Sequence, residues 1–152
     1  MRISKHISYK EAVHSNTAKR RGIENKPNDD QLYNMTKVAH NIFEPLRLYV
    51  GGAIKINSFF RSEELNKEIG GSTKSQHCQG CAIDIDDIYG HKSNYEMFQY
   101  IRENLDFDQL IYEFGDADNP DWVHVSYVSS KENRNRVLRA VKNNGKTSYQ
   151  VF

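Results

Sequence analysis

Apolar residues recur at helical spacing in the first third of the chain. They begin after Pro27 and a run of capping-type residues at positions 28–30, which predicts the start of a helix. The stripe consists of Leu32, Met35, Ala39, Ile42, Phe43 and Leu46. Pro45 lies near its end, and we expect it to kink or end the helix because it has no amide hydrogen. The arm before about Lys26 is polar and weakly patterned.

Short apolar runs farther along the chain predict strands. Residues 53–60 are rich in Ile and Phe, and a second strand is expected at about residues 81–88. The stretches 108–114 and 122–128 also have strand character. The polar segment 115–121 between them allows the two to pair as an antiparallel hairpin.

Two further helices are indicated by their capping residues. Ser62 is a plausible N-cap of a short helix, and Ser93 with Glu96 three residues later forms a capping box. The apolar sides of these helices are Leu65 and Ile69 in the first, and Phe98, Ile101 and Leu105 in the second. These elements predict an α+β fold, a small mainly antiparallel sheet packed with two or three helices. No repeat or linker divides the sequence, so residues 1–152 are expected to form a single domain.

Composition indicates a folded protein without a strong overall field. Nine tyrosines, seven phenylalanines and one tryptophan argue against disorder, and the net charge of +1 gives no general attraction to nucleic acid or to an anionic membrane. The C-terminal segment is locally basic through Lys131, Arg134, Arg136, Arg139, Lys142 and Lys146. This segment could be a solvated face or a contact surface for an anionic polymer.

Targeting signals are missing from the sequence. Residues 1–13 contain no apolar run typical of a signal peptide, and no stretch approaches the roughly 20 apolar residues of a membrane span. We therefore expect synthesis in the cytoplasm without a signal peptide, and no membrane span. Cys78 and Cys81 are too few for a disulfide scaffold, although their spacing could suit a redox pair or half of a zinc site.

Candidate chemistry is concentrated in two short segments. In the first, a turn at Gly80 lets His77 and Asp84 converge from two sides of one bend. In the second, Asp121 and His124 enter a predicted strand. Two imidazoles and one carboxylate are a ligand set typical of catalytic zinc, which keeps its fourth position for water. Asp121 would then be free to act as general base on that water.

Spacing alone leaves the ligand set open. Asp84, Asp86 and Asp87 compete for the role of carboxylate ligand, and alternation along a strand puts the first two on the same face. The two cysteines could instead join His77 around a structural zinc, although the sequence has no second Cys pair to complete such a site.

The motif Ser-x-His-x-x-Gly-x-Ala-x-Asp at residues 75–84 is followed by an acid three residues before the last histidine. This pattern resembles the M15 family of D-Ala-D-Ala carboxypeptidases, dipeptidases and phage endolysins. The resemblance extends to Ser-x-x-Arg-Ser at residues 58–62 and to Trp-Val-His-Val-Ser at residues 122–126. It covers roughly residues 57–127, and the arm at residues 15–27 is also similar to the small phage and prophage members.

The resemblance implies one zinc ion per chain, with His77, Asp84 and His124 as its ligands. It makes Asp121 the catalytic base, which takes the proton of the zinc-bound water and passes it to the leaving amine. It also implies that Arg61 binds and polarises the substrate.

Other residues have smaller expected roles. The resemblance implies that the Ser75 hydroxyl binds substrate. Glu113, on the predicted strand before the loop, could orient a ligand histidine without contacting the metal itself. Asp121 departs from the dipeptidase branch, which commonly has Glu there, whereas endolysin-like members can have Asp. Cys78 and Cys81 are not part of the motif, so we expect them to be packing residues.

The expected function is that of a zinc metallopeptidase that hydrolyses peptide bonds in peptidoglycan stem peptides, as a carboxypeptidase or as an endopeptidase of endolysin type. The implied fold is similar to that of D-Ala-D-Ala peptidases and of the hedgehog signalling domain. A non-catalytic zinc-containing binding module, or a phage structural module of the same fold, is therefore the alternative. We expect the protein to be a monomer that binds a peptidoglycan peptide as its substrate. We expect it to act on the cell wall after phage-type release.

Overall fold

The structure is a computed structural model that describes residues 1–152, and it contains the strands and helices of an α+β protein. The strands are β1 (Arg2–Ser4), β2 (Ile7–Ser8), β3 (Lys55–Ser58), β4 (Ala82–Asp86), β5 (Gln109–Glu113), β6 (Trp122–Ser126), β7 (Arg136–Asn143) and β8 (Lys146–Val151). The helices are α1 (Tyr9–Ala12), α2 (Asn16–Arg21), α3 (Asp29–Val38), α4 (Glu44–Val50), α5 (Glu63–Glu68) and α6 (Asn94–Asn104). A π-helical turn spans Ala39–Phe43, and a 3-10 turn spans Gln76–Gln79.

A six-stranded mixed sheet organises these elements. Its strand order is β3-β4-β6-β5-β7-β8, and β1 with β2 forms a separate two-stranded sheet. Every neighbouring pair in the large sheet is antiparallel except β5 and β7, which are parallel. The predicted mainly antiparallel sheet is therefore confirmed, and so is the predicted hairpin, in which β5 pairs with β6.

The hydrophobic core lies on one face of the large sheet. Alternation along the central strands sends every second side chain into it, since successive residues of a strand point to opposite faces. The strand residues in this core include Ile83, Ile85, Leu110, Tyr112, Val123 and Val125. The helices cover them with Met35, Ile42, Leu46, Phe98 and Ile101. The opposite face carries a separate small cluster of Ile111, Leu138 and Ala140.

The predicted N-terminal core helix begins as the sequence indicates. The Asn28 side chain accepts a hydrogen bond from the Gln31 amide, and the Gln31 side chain accepts one from the Asn28 amide, which completes a capping box. Pro45, however, does not end the helical segment, which continues to Val50. The π-helical turn ends at Phe43, directly before α4, so Pro45 lies in the first turn of α4, where a missing amide hydrogen is tolerated.

Two regions without predicted elements are regular in the structure. The N-terminal arm forms β1, β2, α1 and α2, and the Glu44 carboxylate anchors it by accepting hydrogen bonds from the Ser4 hydroxyl and the His6 amide. The C-terminal segment forms β7 and β8. None of the helices combines the length and apolar character that a membrane crossing needs.

Candidate metal centre

Three of the predicted site residues meet on the open face of the sheet. Asp84 of β4 and His124 of β6 are directly paired in register, and the His124 Nδ1 lies 2.9 Å from one carboxylate oxygen of Asp84. The Nε2 of His77, in the 3-10 turn, lies 3.2 Å from the other oxygen. The ligand atoms of the three residues all lie within 4.8 Å of one another.

The His77 ring is fixed by its local backbone. Its Nδ1 lies 2.7 Å from the Phe59 carbonyl oxygen, which requires the proton on Nδ1 and directs Nε2 toward Asp84. Gly80 ends the 3-10 turn with φ of 76°, and a Cβ there would lie 2.4 Å from the Gln31 carbonyl oxygen. Only glycine therefore allows the turn to pack this closely against α3.

The electrostatics of the trio favour a charged carboxylate between imidazoles. Burial opposes ionisation of Asp84, but the positive charge of His77 and hydrogen bonds from both histidines hold the pKa of Asp84 well below its usual range. Burial also opposes protonation of His124, yet the hydrogen bond and charge of Asp84 raise the pKa of His124 above its ordinary value. The site is therefore built to hold positive charge against Asp84.

The donor set fits a zinc-type ion. Zinc binds histidine nitrogen and carboxylate oxygen at about 2.0–2.2 Å in tetrahedral geometry, which places neighbouring ligand atoms roughly 3.3 Å apart. The distances of 3.2 Å from His77 and 2.9 Å from His124 end on different oxygens of Asp84, and one ligand atom from each residue lies within 4.8 Å of the others, so the trio could hold such an ion.

The alternative ligands lie in other environments. Asp86 accepts a hydrogen bond from the Asn94 side chain, and Asp87 accepts hydrogen bonds from the amides of residues 90 and 91. Cys78 and Cys81 are buried free thiols outside the candidate metal group, and burial raises the pKa of both. Because metals bind the thiolate form, a buried thiol with a raised pKa is better suited to packing than to metal binding.

Arg61 and Ser75 lie at one end of the site. The Arg61 Nη2 donates a 3.2 Å hydrogen bond to the Ser75 hydroxyl, and its Nε is buried without a partner. Burial lowers the pKa of Arg61, while the negative charge of Asp84 opposes that shift. The structure therefore places a partly unsatisfied guanidinium beside the trio of His77, Asp84 and His124.

A cleft of about 660 Å³ opens over these residues. Its lining includes the metal trio, Arg61 and Ser75, and it continues over Ile111 and Leu138 of the sheet face. Its far wall consists of Arg136, Thr147 and Tyr149 from β7 and β8. The trio therefore faces a space large enough for a peptide.

Glu113 also lines this cleft. It pairs with Trp122 across the β5–β6 hairpin, so it is a diagonal neighbour of His124 on the same sheet face. Its side chain is 7% exposed and makes no hydrogen bond. Burial, together with the negative charge of Asp84, raises the pKa of Glu113 to about 7, although His124 opposes the shift. A carboxyl group with this pKa is suited to accept and return a proton near neutral pH.

Asp121 has a different environment. It is exposed and lies in the bend just before β6. It does not line the cleft; its amide donates to the Glu113 carbonyl oxygen instead. The structure thus brings six of the seven predicted site residues to one cleft, whereas Asp121 lines an adjacent pocket that shares Phe114 and Trp122 with the cleft.

Sequence reasoning gave Glu113 only a supporting position. The signal that could have found it is the alternation along residues 109–113. Once His124 is paired with Ile111, Glu113 must point to the same face as the histidine. The spacing between Asp121 and His124 alone gives no information on strand faces.

Two imidazoles, a carboxylate and an adjacent arginine in one cleft are an arrangement typical of metal-dependent hydrolases. The family described as Peptidase M15 matches residues 5–126, so the chain belongs to the M15 peptidases. No curated protein matches the chain. The matched region includes every residue of the metal trio and ends before β7 and β8.

Proposed function

We propose that the protein is a zinc metallopeptidase that hydrolyses peptide bonds in peptidoglycan stem peptides. The observation that carries this proposal is the meeting of His77, Asp84 and His124 at the base of an open cleft, with Arg61 beside them. Membership of the M15 peptidases supports peptide hydrolysis as the reaction. The peptidoglycan substrate, and action at the cell wall by a monomer after phage-type release, rest on the motif resemblance alone.

The three ligands divide the task of holding the ion. Asp84 contributes the negative charge, and the two histidines contribute neutral nitrogen donors, of which His77 is oriented by the Phe59 carbonyl. A bound zinc ion supplies Lewis acidity and lowers the pKa of a coordinated water to about 7. An ion held by these three residues would face the cleft, where water and substrate could reach it.

Glu113 is the proposed general base. It accepts a proton from the attacking water while the water oxygen forms a bond to the scissile carbonyl carbon. When the C–N bond breaks, Glu113 returns this proton to the leaving amine nitrogen. The assignment is supported by the position of Glu113 inside the cleft, diagonal to His124 on the same sheet face. Asp121 remains the competing assignment from the resemblance, and paired variants distinguish the two.

Arg61 is the proposed substrate-binding cation. Its guanidinium offers several donors in a fixed plane, which suits the oxygen of a polarised carbonyl or a substrate carboxylate. Its buried Nε has no protein partner, so a substrate oxygen would satisfy a group that is otherwise costly to bury. Ser75 holds the guanidinium in place and lines the same end of the cleft.

The test is digestion of purified peptidoglycan by the zinc-loaded protein, with mass spectrometry of the soluble products. We expect new peptide amino and carboxyl ends, which are absent with a chelator and absent for His77→Ala. Stoichiometric zinc binding without any released peptide would refute the peptidoglycan peptidase, and would favour a non-catalytic zinc-containing module.

A further inference from the structure

The β7–β8 hairpin forms one wall of the cleft, although it lies beyond the region matched by the family. In the sheet order, the metal ligands are on β4 and β6, and β8 lies three strands away from β6. At about 4.8 Å per strand, the cleft extends roughly 14 Å from the metal centre in that direction. Arg61, which follows β3, lies on the opposite side of the centre.

Charges in the cleft favour an anionic ligand. The charged side chains that line it are Arg61, Lys74 and Arg136, against Asp84 and Glu113. The carboxylate of Asp84 is already engaged by two histidines, and a bound divalent ion would add further positive charge. A cleft with this balance attracts carboxylates and focuses its field on them.

Arg136 differs from the other basic residues of the C-terminal segment. Several of those have partners within the fold: Arg134 pairs with Asp108, Arg139 lies over the Tyr112 ring and Lys142 lies over the Phe114 ring. Arg136 has no ion pair or side-chain hydrogen bond, and it is the basic residue of this segment that lines the cleft. Its guanidinium is therefore free to bind a ligand.

We propose that the β7–β8 hairpin forms a subsite for a substrate carboxylate, bound by Arg136, and that the substrate is an acidic peptide extending to both sides of the metal centre. This inference rests on the proposed peptidase function. Arg136 can bind a carboxylate through two parallel N–H groups, which Lys could not reproduce. Leu138 and Ile111 form an apolar surface for the aliphatic part of the substrate residue that carries this carboxylate. Tyr149 completes the wall of the subsite.

The length of this arm favours cleavage of an internal bond. At about 3.3 Å per extended residue, roughly 14 Å holds about four residues between the metal centre and the end of the hairpin. The Arg61 side provides room for the chain beyond the scissile bond. The geometry therefore favours an endopeptidase over an enzyme that removes one terminal residue.

The first experiment compares matched peptides that differ only in one carboxylate, present as the free acid or as its amide. The zinc-loaded protein is expected to prefer the acid by about tenfold or more in kcat/KM, the size of one charge-assisted hydrogen bond. Arg136→Gln should abolish this preference, because kcat/KM for the acid should fall to the value for the amide. Lys146→Gln removes the same charge from the same hairpin outside the cleft and should keep the preference. Equal use of both peptides by the unmodified protein, or an unchanged preference in Arg136→Gln, would overturn the inference.

The second experiment separates this inference from the peptidase function. Trp122 is the only tryptophan and lines the cleft, so its fluorescence reports binding without turnover. Zinc-loaded Glu113→Gln is expected to bind the acidic peptide about tenfold more tightly than the amide, and Glu113→Gln with Arg136→Gln should bind both equally. If the peptidase function fails, no peptide is cleaved, yet this preference still tests the subsite. Release of a single terminal residue as the sole product would refute the two-sided cleft.

Discussion

The two faces of the central strands serve different purposes. On β5, Leu110 and Tyr112 are 0% and 1% exposed within the hydrophobic core, whereas Glu113 faces the cleft. On β6, Val123 and Val125 pack in the core on either side of His124. Neighbouring residues of either strand therefore face the hydrophobic core and the cleft in turn. The comparison teaches that stability and chemistry are separated by strand alternation, so substitutions at adjacent positions should have unrelated effects.

The largest expected effect is at His124. His124→Ala removes one of two nitrogen ligands, so zinc binding and peptide hydrolysis should both fall to background. The metal-free variant should be less stable than the metal-free unmodified protein, because Asp84 loses the hydrogen bond from His124, but it should still unfold cooperatively because the core face is unchanged. Metal analysis and denaturant unfolding provide the two measurements. Full zinc content in this variant would contradict the assignment of His124 as a metal ligand.

The next effect distinguishes Glu113 from Asp121. Glu113→Gln keeps the size of the side chain but removes the basic carboxylate, so kcat should fall by about 100-fold to 10,000-fold while zinc remains bound. Asp121→Asn changes an exposed side chain outside the cleft, so its activity should stay within about twofold of normal. Steady-state kinetics on both variants gives the comparison. The reverse pattern would restore Asp121 as the base and would leave Glu113 a supporting role.

On the core face, the expected effect is on stability alone. Leu110→Ala should lower the free energy of unfolding by about 2–5 kcal/mol, because it leaves a cavity in a fully buried cluster. The zinc content of the folded fraction should be unchanged, since Leu110 points away from the trio. Urea unfolding and metal analysis on the same samples test this separation. Loss of zinc from the folded fraction would show that the two faces are coupled.

The smallest expected effect concerns the anchor of the C-terminal hairpin. The buried Asp108 carboxylate accepts hydrogen bonds from Arg134 and Gln76. These hydrogen bonds, those of Arg134 first, lower the pKa of Asp108 despite its burial. Because the pKa of Asp108 is lower in the folded state than in the unfolded state, where it is about 3.9, the ionised carboxylate stabilises the folded protein at pH values above about 3.9. This contribution is lost as the pH falls through the folded-state pKa.

Asp108→Asn should therefore lower the free energy of unfolding by about 1–3 kcal/mol at pH 7, and by progressively less below about pH 4. Unfolding curves across this pH range provide the measurement. The exposed Glu132→Gln is the matched control and should have little effect at any pH. A pH-independent difference for Asp108→Asn would mean that packing, rather than charge, anchors the hairpin.

The sequence predicted the parts of the structure that local patterns determine. Apolar periodicity and capping residues indicated α3 and α6. The spacing around Gly80 predicted that His77 and Asp84 approach each other, as they do in the structure. Such features depend on contacts between residues near one another in the chain, or on a single hairpin. They can be recognised without knowledge of the whole fold.

The remaining parts depend on distant or exposed pairings. All residues of β8 are exposed, so no alternation of apolar and polar positions marks this strand. The parallel pairing of β7 with β5 is fixed by long-range packing, which a local pattern does not encode. The inward direction of Glu113 likewise follows from the register of β5 and β6, and only the assembled sheet reveals it.

The most direct test of the central claim is a zinc titration of the metal-free protein in which bound metal and peptidoglycan hydrolysis are followed together. The structure predicts that hydrolysis rises with bound zinc and reaches its maximum at one ion per chain, and that Cys78→Ser with Cys81→Ser gives the same curve. Hydrolysis without bound metal, or a maximum that requires the cysteines, would contradict a catalytic zinc held by His77, Asp84 and His124.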